Sequence, residues 1–283
     1  MGEDRSPIHR MKAADLGRGP RTAVVAIGVA VLSVLASAVW PSSPDRSRVA
    51  GGLIEGSGRI PQPVAPAFTA ADSTPIRPDR WDSVWAVVKG EVDVHARPRL
   101  GSPVVGRLAP LTPEGTDNIV LVLDRRQAPD DQLWVRVRFP SLPNGASGWI
   151  ERSALGGYGV VHTRLVIDLG ALRARLYKRA RLVFEAPVGV GKAQWPTPTG
   201  EFYVRNRLVD FEDPFYGPVA FGLSARSAVL TDWPAGGFVG IHGTATPEVI
   251  PGRVSHGCVR MRNADILRLD RLMPVGTPVR VRP

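Results

Sequence analysis

The stretch Ile241–Leu269 reads IHGTATPEVIPGRVSHGCVRMRNADILRL and contains Cys258, the only cysteine of the 283-residue chain. A single thiol excludes a disulfide within the chain and a zinc ribbon. An ordinary thiol has a pKa of about 8.5, and the thiolate is the nucleophile, so Cys258 needs a base within hydrogen-bonding reach. Two of the five histidines, His242 and His256, lie close to it in the sequence. The stretch therefore predicts a cysteine nucleophile assisted by a histidine.

His242 is the better candidate for the base. His256 is only two residues from Cys258, and such near neighbours rarely meet with suitable geometry. His242 is sixteen residues upstream, and the Pro- and Gly-containing segment between them can loop back. Gly257 permits a tight bend before the cysteine, where we expect exposed amides to stabilise an oxyanion. One cysteine and two histidines without a fourth ligand are a weak zinc site, so no metal is predicted.

The composition limits the kinds of partner that the protein is expected to bind. The chain has 36 Lys and Arg against 26 Asp and Glu, a formal net charge of +10. A basic protein suits an anionic polymer such as cell wall, an anionic membrane or a nucleic acid. No dense Lys/Arg run and no aromatic interleaving accompanies the charge, so no nucleic-acid partner is predicted.

The N-terminal part has the pattern of an exported protein. Residues 22–39 read TAVVAIGVAVLSVLASAV and carry no charge, and about 20 such residues span a bilayer core. A basic segment precedes them, which predicts a cytoplasmic N-terminus at residues 1–21. We predict a transmembrane anchor at 22–40, with a cleavable signal as the alternative, and a Pro/Gly-rich linker at 41–80.

Two segments after the linker are rich in predicted strands. Residues 81–156 contain short alternating runs bounded by Gly, Pro, Asn or Asp, which predicts a small all-β module. Residues 162–283 also alternate, and one helix is predicted at 263–273, with Asn263 as its cap and Pro274 after its end. The fold class is therefore mainly β, with one or two helices.

Four blocks in the order found here resemble the active-site region of YkuD-type L,D-transpeptidases. They are LVIDLGALRARLYKRARLVFEAPVGVG, WPTPTGEFYV, the IHGT-to-SHGCVRM stretch and the closing GTPVRV. The sequence VGVGK departs from the family, in which Ser or Thr often precedes the glycine. The earlier module resembles bacterial SH3-like domains through DVHARPRLGSPVVGRL, LWVRVRF and NGASGWIERSAL. In that family such modules often dock cell-wall components, and a spacer is the alternative; the resemblance implies a small β-barrel.

The YkuD resemblance implies roles for particular residues. Cys258 would be the acyl-accepting nucleophile and His242 the proton acceptor and donor, and the residues lining the site or binding substrate would be Ser255, His256, Gly257 and Arg260. In the implied reaction, the thiolate attacks the carbonyl of the third residue of a peptidoglycan tetrapeptide stem and D-Ala is released. The acyl group then passes to the amine of a second stem, which gives a 3-3 cross-link without a cofactor.

Alternatives to this reaction remain open. Water as acceptor would make an L,D-carboxypeptidase, and a lipoprotein amine would make an anchoring enzyme. Acylation by carbapenems and an extracytoplasmic location at the cell membrane, or in the wall if the N-terminal segment is cleaved, are further expectations. In another functional class, the chain would be a catalytically silent cell-wall-binding protein, which the intact HGT and SHGC blocks argue against.

Overall fold

The computed structural model describes residues 81–209, 214–230 and 237–283, all of which belong to one compact unit of the chain. The basic segment, the anchor and the linker predicted at 1–21, 22–40 and 41–80 lie outside the described residues. Within the described ranges, no helix has the length and apolar character needed to cross a membrane. Strands dominate these ranges, and the prediction of a mainly β protein is confirmed.

The first sheet has seven antiparallel strands in the order β3-β2-β6-β5-β4-β1-β7. Every second residue of β1 is buried, which is the period-2 pattern that the sequence shows. The SH3-like architecture of this module stays a prediction, and the sheet itself continues beyond residue 156, to Val161. The strands are β1 Ser83–Val88, β2 Val92–His95, β3 Val104–Leu108, β4 Ile119–Gln127, β5 Leu133–Arg138, β6 Ser147–Glu151 and β7 Leu155–Val161.

The second sheet has ten strands in the order β10-β9-β8-β17-β12-β13-β14-β16-β11-β15. Three of its pairings are parallel, namely β8 with β17, β14 with β16 and β11 with β15. Its strands are β8 Thr163–Asp168, β9 Arg173–Lys178, β10 Arg181–Pro187, β11 Gly189–Gly191, β12 Gly200–Val209, β13 Val219–Arg226, β14 Phe238–His242, β15 Gly252–Ser255, β16 Val259–Arg260 and β17 Pro278–Arg282.

The described residues contain one α-helix, α1, at Asn263–Asp270. It buries Ile266 and Leu269 against the large core of the second sheet. The predicted helix is three residues too long, because the chain leaves helical geometry after Asp270 and a turn then carries Met273 into the same core. The predicted cap is also wrong: Arg262 occupies the cap position, and the Asn263 side chain is used elsewhere, as described below.

The two sheets pack directly against each other. Tyr203 of β12 is fully buried with Ile119 and Leu121 of β4, and its hydroxyl donates a hydrogen bond of 3.0 Å to the Ile119 carbonyl. Gly276 comes so close to Trp85 that a Cβ at this position would lie 2.3 Å from the indole Cδ1. The first module therefore contacts β12, which lies two strands from the strand that carries His242.

Candidate active site

Pairing between β14 and β16 brings His242 and Cys258 together. The two strands are parallel, and their register places His242 opposite Arg260. Cys258 immediately precedes Val259, the first residue of β16, which pairs with Ile241. The Gly240 N–H, two residues before His242, donates a hydrogen bond to Cys258 Sγ over 3.4 Å. His242, Cys258 and Arg260 all line one open cleft.

The buried imidazole of His242 has a defined tautomer. Its Nδ1 lies 2.7 Å from the carbonyl oxygen of Gly243. A carbonyl can only accept a hydrogen bond, so Nδ1 carries the proton and Nε2 of the neutral ring keeps its lone pair. Burial lowers the pKa of His242 to about 4, the positive charge of Arg260 acts in the same direction, and the Gly243 carbonyl opposes both. At neutral pH His242 is therefore an uncharged base.

Cys258 is partly exposed, and its sulfur accepts the Gly240 N–H. Burial raises the pKa of the thiol above its ordinary value, and the Gly240 N–H and the charge of Arg260 oppose this rise. A thiol in this setting is protonated at neutral pH. The arrangement therefore presents a neutral thiol and a neutral imidazole, so that the proton must leave sulfur when the nucleophile attacks.

A network of hydroxyl groups shapes the turn before Cys258. Ser255 Oγ accepts the Gly257 N–H at 3.1 Å and donates to the carbonyl of Cys258 at 2.5 Å. Thr197 Oγ1 donates to the Gly257 carbonyl at 2.9 Å and accepts the Gly191 N–H at 2.9 Å. Gly257 has a φ of 115°, in the region that favours glycine. The Gly257 amide is thus occupied by Ser255, so an oxyanion hole at this turn stays a prediction for the other amides there.

Arg260 supplies positive charge at the floor of the cleft. The residue is 9% exposed, and its guanidinium carbon lies 4.4 Å above the ring of Phe215. Its Nε is buried and has no hydrogen-bond partner among the described residues. Burial lowers the pKa of Arg260, but a guanidinium stays charged in proteins. A planar cation with an unused donor in a cleft can bind a carboxylate or a peptide carbonyl.

Aromatic rings form two walls of the site. His256 lines the cleft and packs on Trp195, with ring centroids 4.2 Å apart and ring planes tilted by 44°. Phe215 and Tyr216 also line the cleft, with ring centroids 5.9 Å and 5.1 Å from that of His242. These rings can enclose an extended peptide and exclude water from the reacting groups.

Asn263 holds the turn that follows His242. Its Oδ1 accepts the Thr244 N–H at 2.9 Å and lies against Gly243 and Gly217, where an added Cβ would come within 2.3 Å and 2.5 Å of it. This contact joins the start of α1 to the segment whose carbonyl orients the imidazole. The sequence pointed to Asn263 only as a helix cap, and Thr197 lies in a quoted block without a predicted role.

The structure gathers the residues predicted from the sequence at one place. Five of them line the cleft, and Gly257 lies in the turn behind it; the five are His242, Ser255, His256, Cys258 and Arg260. The part of the chain that the structure describes contains no group of three His, Cys, Asp or Glu side chains able to hold a metal.

Comparison with known proteins points to one family. Residues 162–281 match the family model of YkuD, described as the L,D-transpeptidase catalytic domain. A Bacillus licheniformis protein named L,D-transpeptidase YkuD is 39% identical over 120 residues, which are 42% of this chain and 66% of the relative. Its namesake from Bacillus subtilis is 36% identical over 117 residues, which are 41% of this chain and 64% of the relative. The chain thus spans slightly less than two thirds of the length of either relative.

A solved structure is also among the similar proteins. The catalytic domain of an E. faecium L,D-transpeptidase, determined by NMR, is 27% identical with a TM-score of 0.32, over 42% of this chain and 96% of that one.

Proposed function

Because residues 162–281 belong to the YkuD family of L,D-transpeptidase catalytic domains, we propose that this protein is a cysteine-dependent L,D-transpeptidase of peptidoglycan. The proposal specifies the donor as the third residue of a tetrapeptide stem, and the acceptor as the amine of a second stem. The observation that carries it is the presence of Cys258 and His242 in one cleft, with the lone pair of the imidazole left on Nε2.

The acylation step begins with both groups neutral. His242 Nε2 takes the thiol proton as Cys258 Sγ attacks the carbonyl carbon of the third residue, which forms a tetrahedral intermediate. Its collapse breaks the bond to the terminal D-Ala, and His242 returns the proton to the departing amine. The product is a thioester on Cys258 and free D-Ala, and the imidazole is neutral again.

The second step regenerates the enzyme by the same route. The acceptor amine attacks the thioester carbonyl, and His242 removes a proton from the attacking nitrogen. The carbon–sulfur bond then breaks, the proton returns to Cys258 Sγ, and a 3-3 cross-link is released. Water in place of the amine gives a tripeptide, which is carboxypeptidase activity, and a lipoprotein amine gives an anchored lipoprotein.

Substrate binding is assigned to the charged and aromatic groups around the thiol. The Arg260 guanidinium, a cation that lines the cleft, suits a carboxylate or carbonyl of the stem. Two further groups line the cleft: the ring of His256, which packs on Trp195, and the hydroxyl of Ser255. The range 162–283 carries 17 Lys and Arg against 10 Asp and Glu, which favours an anionic substrate and wall polymer.

The place of action follows from the sequence that precedes the described residues. The uncharged run at 22–39 behind a basic segment supports membrane attachment, with the catalytic part outside the cytoplasm. Removal of that run by cleavage would instead release the protein to the wall. Both alternatives place it where its substrate lies.

Product analysis tests the proposed function. The full chain in detergent is incubated with disaccharide-tetrapeptide, and the products are identified by mass spectrometry. We expect D-Ala and a cross-linked dimer with the wild type and neither with Cys258→Ser. Tripeptide alone would assign a carboxypeptidase. If wild type and Cys258→Ser gave neither product, the enzymatic function would be refuted.

Covalent labelling tests the nucleophile separately. A carbapenem should add its mass to the wild-type protein, and digestion should locate the adduct at Cys258. The variant Cys258→Ser is the matched control, because it retains the fold and shape of the cleft but lacks the thiol. An adduct that persists in this variant would disprove the assignment.

A further inference from the structure

A loop of the first module reaches into the second sheet. An isolated bridge between Leu111 and Asp117 closes this loop, and the Thr112 N–H donates to the Thr116 carbonyl at 2.8 Å. At its tip Glu114 Oε1 accepts a hydrogen bond from Arg205 Nη2 of β12 at 2.6 Å. Asn206 Nδ2 donates to Glu114 Oε2 at 3.2 Å, so both carboxylate oxygens face the second sheet.

The partner of Glu114 is a deeply buried cation. Arg205 is 1% exposed, and among the described residues its ion pair is with Glu114. Burial by itself would raise the pKa of Glu114, but the hydrogen bond and charge of Arg205 hold it below its ordinary value. Removing one partner of a buried pair leaves an uncompensated charge, which is strongly unfavourable. The position of the guanidinium therefore depends on the carboxylate.

Arg205 connects this loop to the wall of the active site. Its guanidinium carbon lies 3.9 Å above the ring of Phe238, the first residue of β14, and Phe238 lines the cleft with His242 and Cys258. Arg205 reaches Phe238 across β13, where Gly222 has no side chain to block it. A Cβ at Gly222 would lie 3.4 Å from Arg205 Nη2 and 2.1 Å from Asn206 Oδ1.

A second contact of the first module converges on the same ring. Asn144 Nδ2 donates to the Arg226 carbonyl at 2.8 Å, and its Oδ1 accepts the Arg226 N–H at 2.9 Å. Arg226 is paired with Phe238 across β13 and β14, and its guanidinium carbon lies 5.2 Å from the centre of that ring. Two arginines that the first module holds thus pack on one aromatic side chain of the cleft.

We propose that Glu114 is a positioning residue of the active site, which holds Arg205 over Phe238 and so sets the wall of the cleft against which the substrate binds. The first module is accordingly a structural part of the catalytic site in addition to any partner that it binds. The kinetic readout of this inference rests on the proposed function, whereas its structural readout does not.

Kinetics of two charge-removing variants test the inference. Glu114→Gln removes the carboxylate beneath Arg205, whereas Asp82→Asn removes another carboxylate, which pairs with His162 away from the cleft. With a tetrapeptide donor we expect Glu114→Gln to raise KM about tenfold with little change in kcat, the pattern of lost substrate binding. Asp82→Asn should leave both constants within about twofold of the wild type. Equal effects of the two variants on KM would overturn the inference.

The structural readout is the NMR signal of the Phe238 ring. The full chain, with ring-¹³C phenylalanine at its eight positions, is prepared in the Cys258→Ser background, so that no turnover is required. Phe238→Leu assigns the signal. We expect Glu114→Gln to shift or broaden it, and Asp82→Asn to leave it unchanged. An unchanged signal in Glu114→Gln would overturn the inference even if the enzyme were active.

Arg205→Lys keeps the inference testable if Glu114→Gln does not fold. Lysine preserves the charge opposite Glu114 but lacks the planar guanidinium that covers the ring. The Phe238 signal should move and KM should rise relative to the wild type, and an unchanged Phe238 signal in Arg205→Lys would overturn the inference. A wild type without turnover would refute the proposed function, and the NMR comparison would then decide this inference alone.

Discussion

Replacement of Asn263 by alanine should impair both the stability of the fold and the reactivity of Cys258. Asn263 Oδ1 accepts the Thr244 N–H at 2.9 Å, and Thr244 is 2% exposed, so water cannot replace the lost acceptor. The adjoining residue is Gly243, whose carbonyl orients the imidazole of His242. Alanine would leave a buried amide unpaired and open space beside this turn.

The structure bounds the size of the effect. An unsatisfied buried donor costs about 1–3 kcal/mol. For a folded region of about 200 residues each kcal/mol lowers the melting temperature by about 2–4 °C, so we expect a decrease between about 2 and 12 °C. If the same energy were lost entirely from the transition state, the acylation rate would fall between about 5-fold and 150-fold.

A conservative variant separates the hydrogen bond from the rest of the side chain. Asn263→Asp retains an acceptor at Oδ1, and a carboxylate is favoured in the first turn of α1. Thermal unfolding and single-turnover acylation of Cys258, followed by mass spectrometry, should show Asn263→Ala impaired and Asn263→Asp close to wild type. The reasoning is refuted if the alanine variant matches wild type in both measurements, or if the aspartate variant is as impaired as alanine.

Two further predictions concern stability. The pKa of His242 falls from 6.5 in the unfolded chain to about 4 in the folded protein, so the unfolded chain binds the proton first and stability is lost as pH falls from 6.5 to 4. The loss of free energy of unfolding approaches about 3 kcal/mol. Urea titrations at several pH values should show this loss in the wild type and not in His242→Gln. The prediction is contradicted if the free energy of unfolding depends on pH identically in the two proteins. Tyr203→Phe removes the donor to the Ile119 carbonyl and should lower the free energy of unfolding by about 1–2 kcal/mol in denaturant titration. Tyr158→Phe, on an exposed side chain, is its control, and equal stability of Tyr203→Phe and wild type would show that the inter-sheet hydrogen bond contributes nothing.

Local sequence was sufficient for the class of fold. Short alternating runs bounded by Gly, Pro and Asn predict strands because side chains of a strand alternate between two faces, and β1 shows this alternation in its burial. The end of α1 was predicted less well. The apolar stripe that includes Met273 continues beyond the helix, because a turn can bring the same side chain into the core.

The motifs also identified the residues that meet in the cleft, and the choice of His242 over His256 rested on backbone geometry. A histidine two residues from Cys258 is constrained by its own short segment, and the structure places His256 on Trp195. The parallel pairing of β14 and β16 then brings His242 and Cys258 into one cleft. The occupied amide of Gly257 was not foreseen, because the partner hydroxyl of Ser255 is determined by the shape of the turn.

The sequence by itself determined the mainly β class and the similarity of residues 162–281 to the YkuD family, and it predicted the nucleophile, since each depends on local periodicity or on a motif of contiguous residues. Only the tertiary structure decided which side chains support that motif. Thr197 contacts Gly257 across 60 positions, and Glu114 contacts Arg205 across 91. Such pairs arise from strand register and from the packing of two sheets, which no local pattern encodes. The physical reason is that each contact forms only after many others have placed its partners within hydrogen-bonding distance.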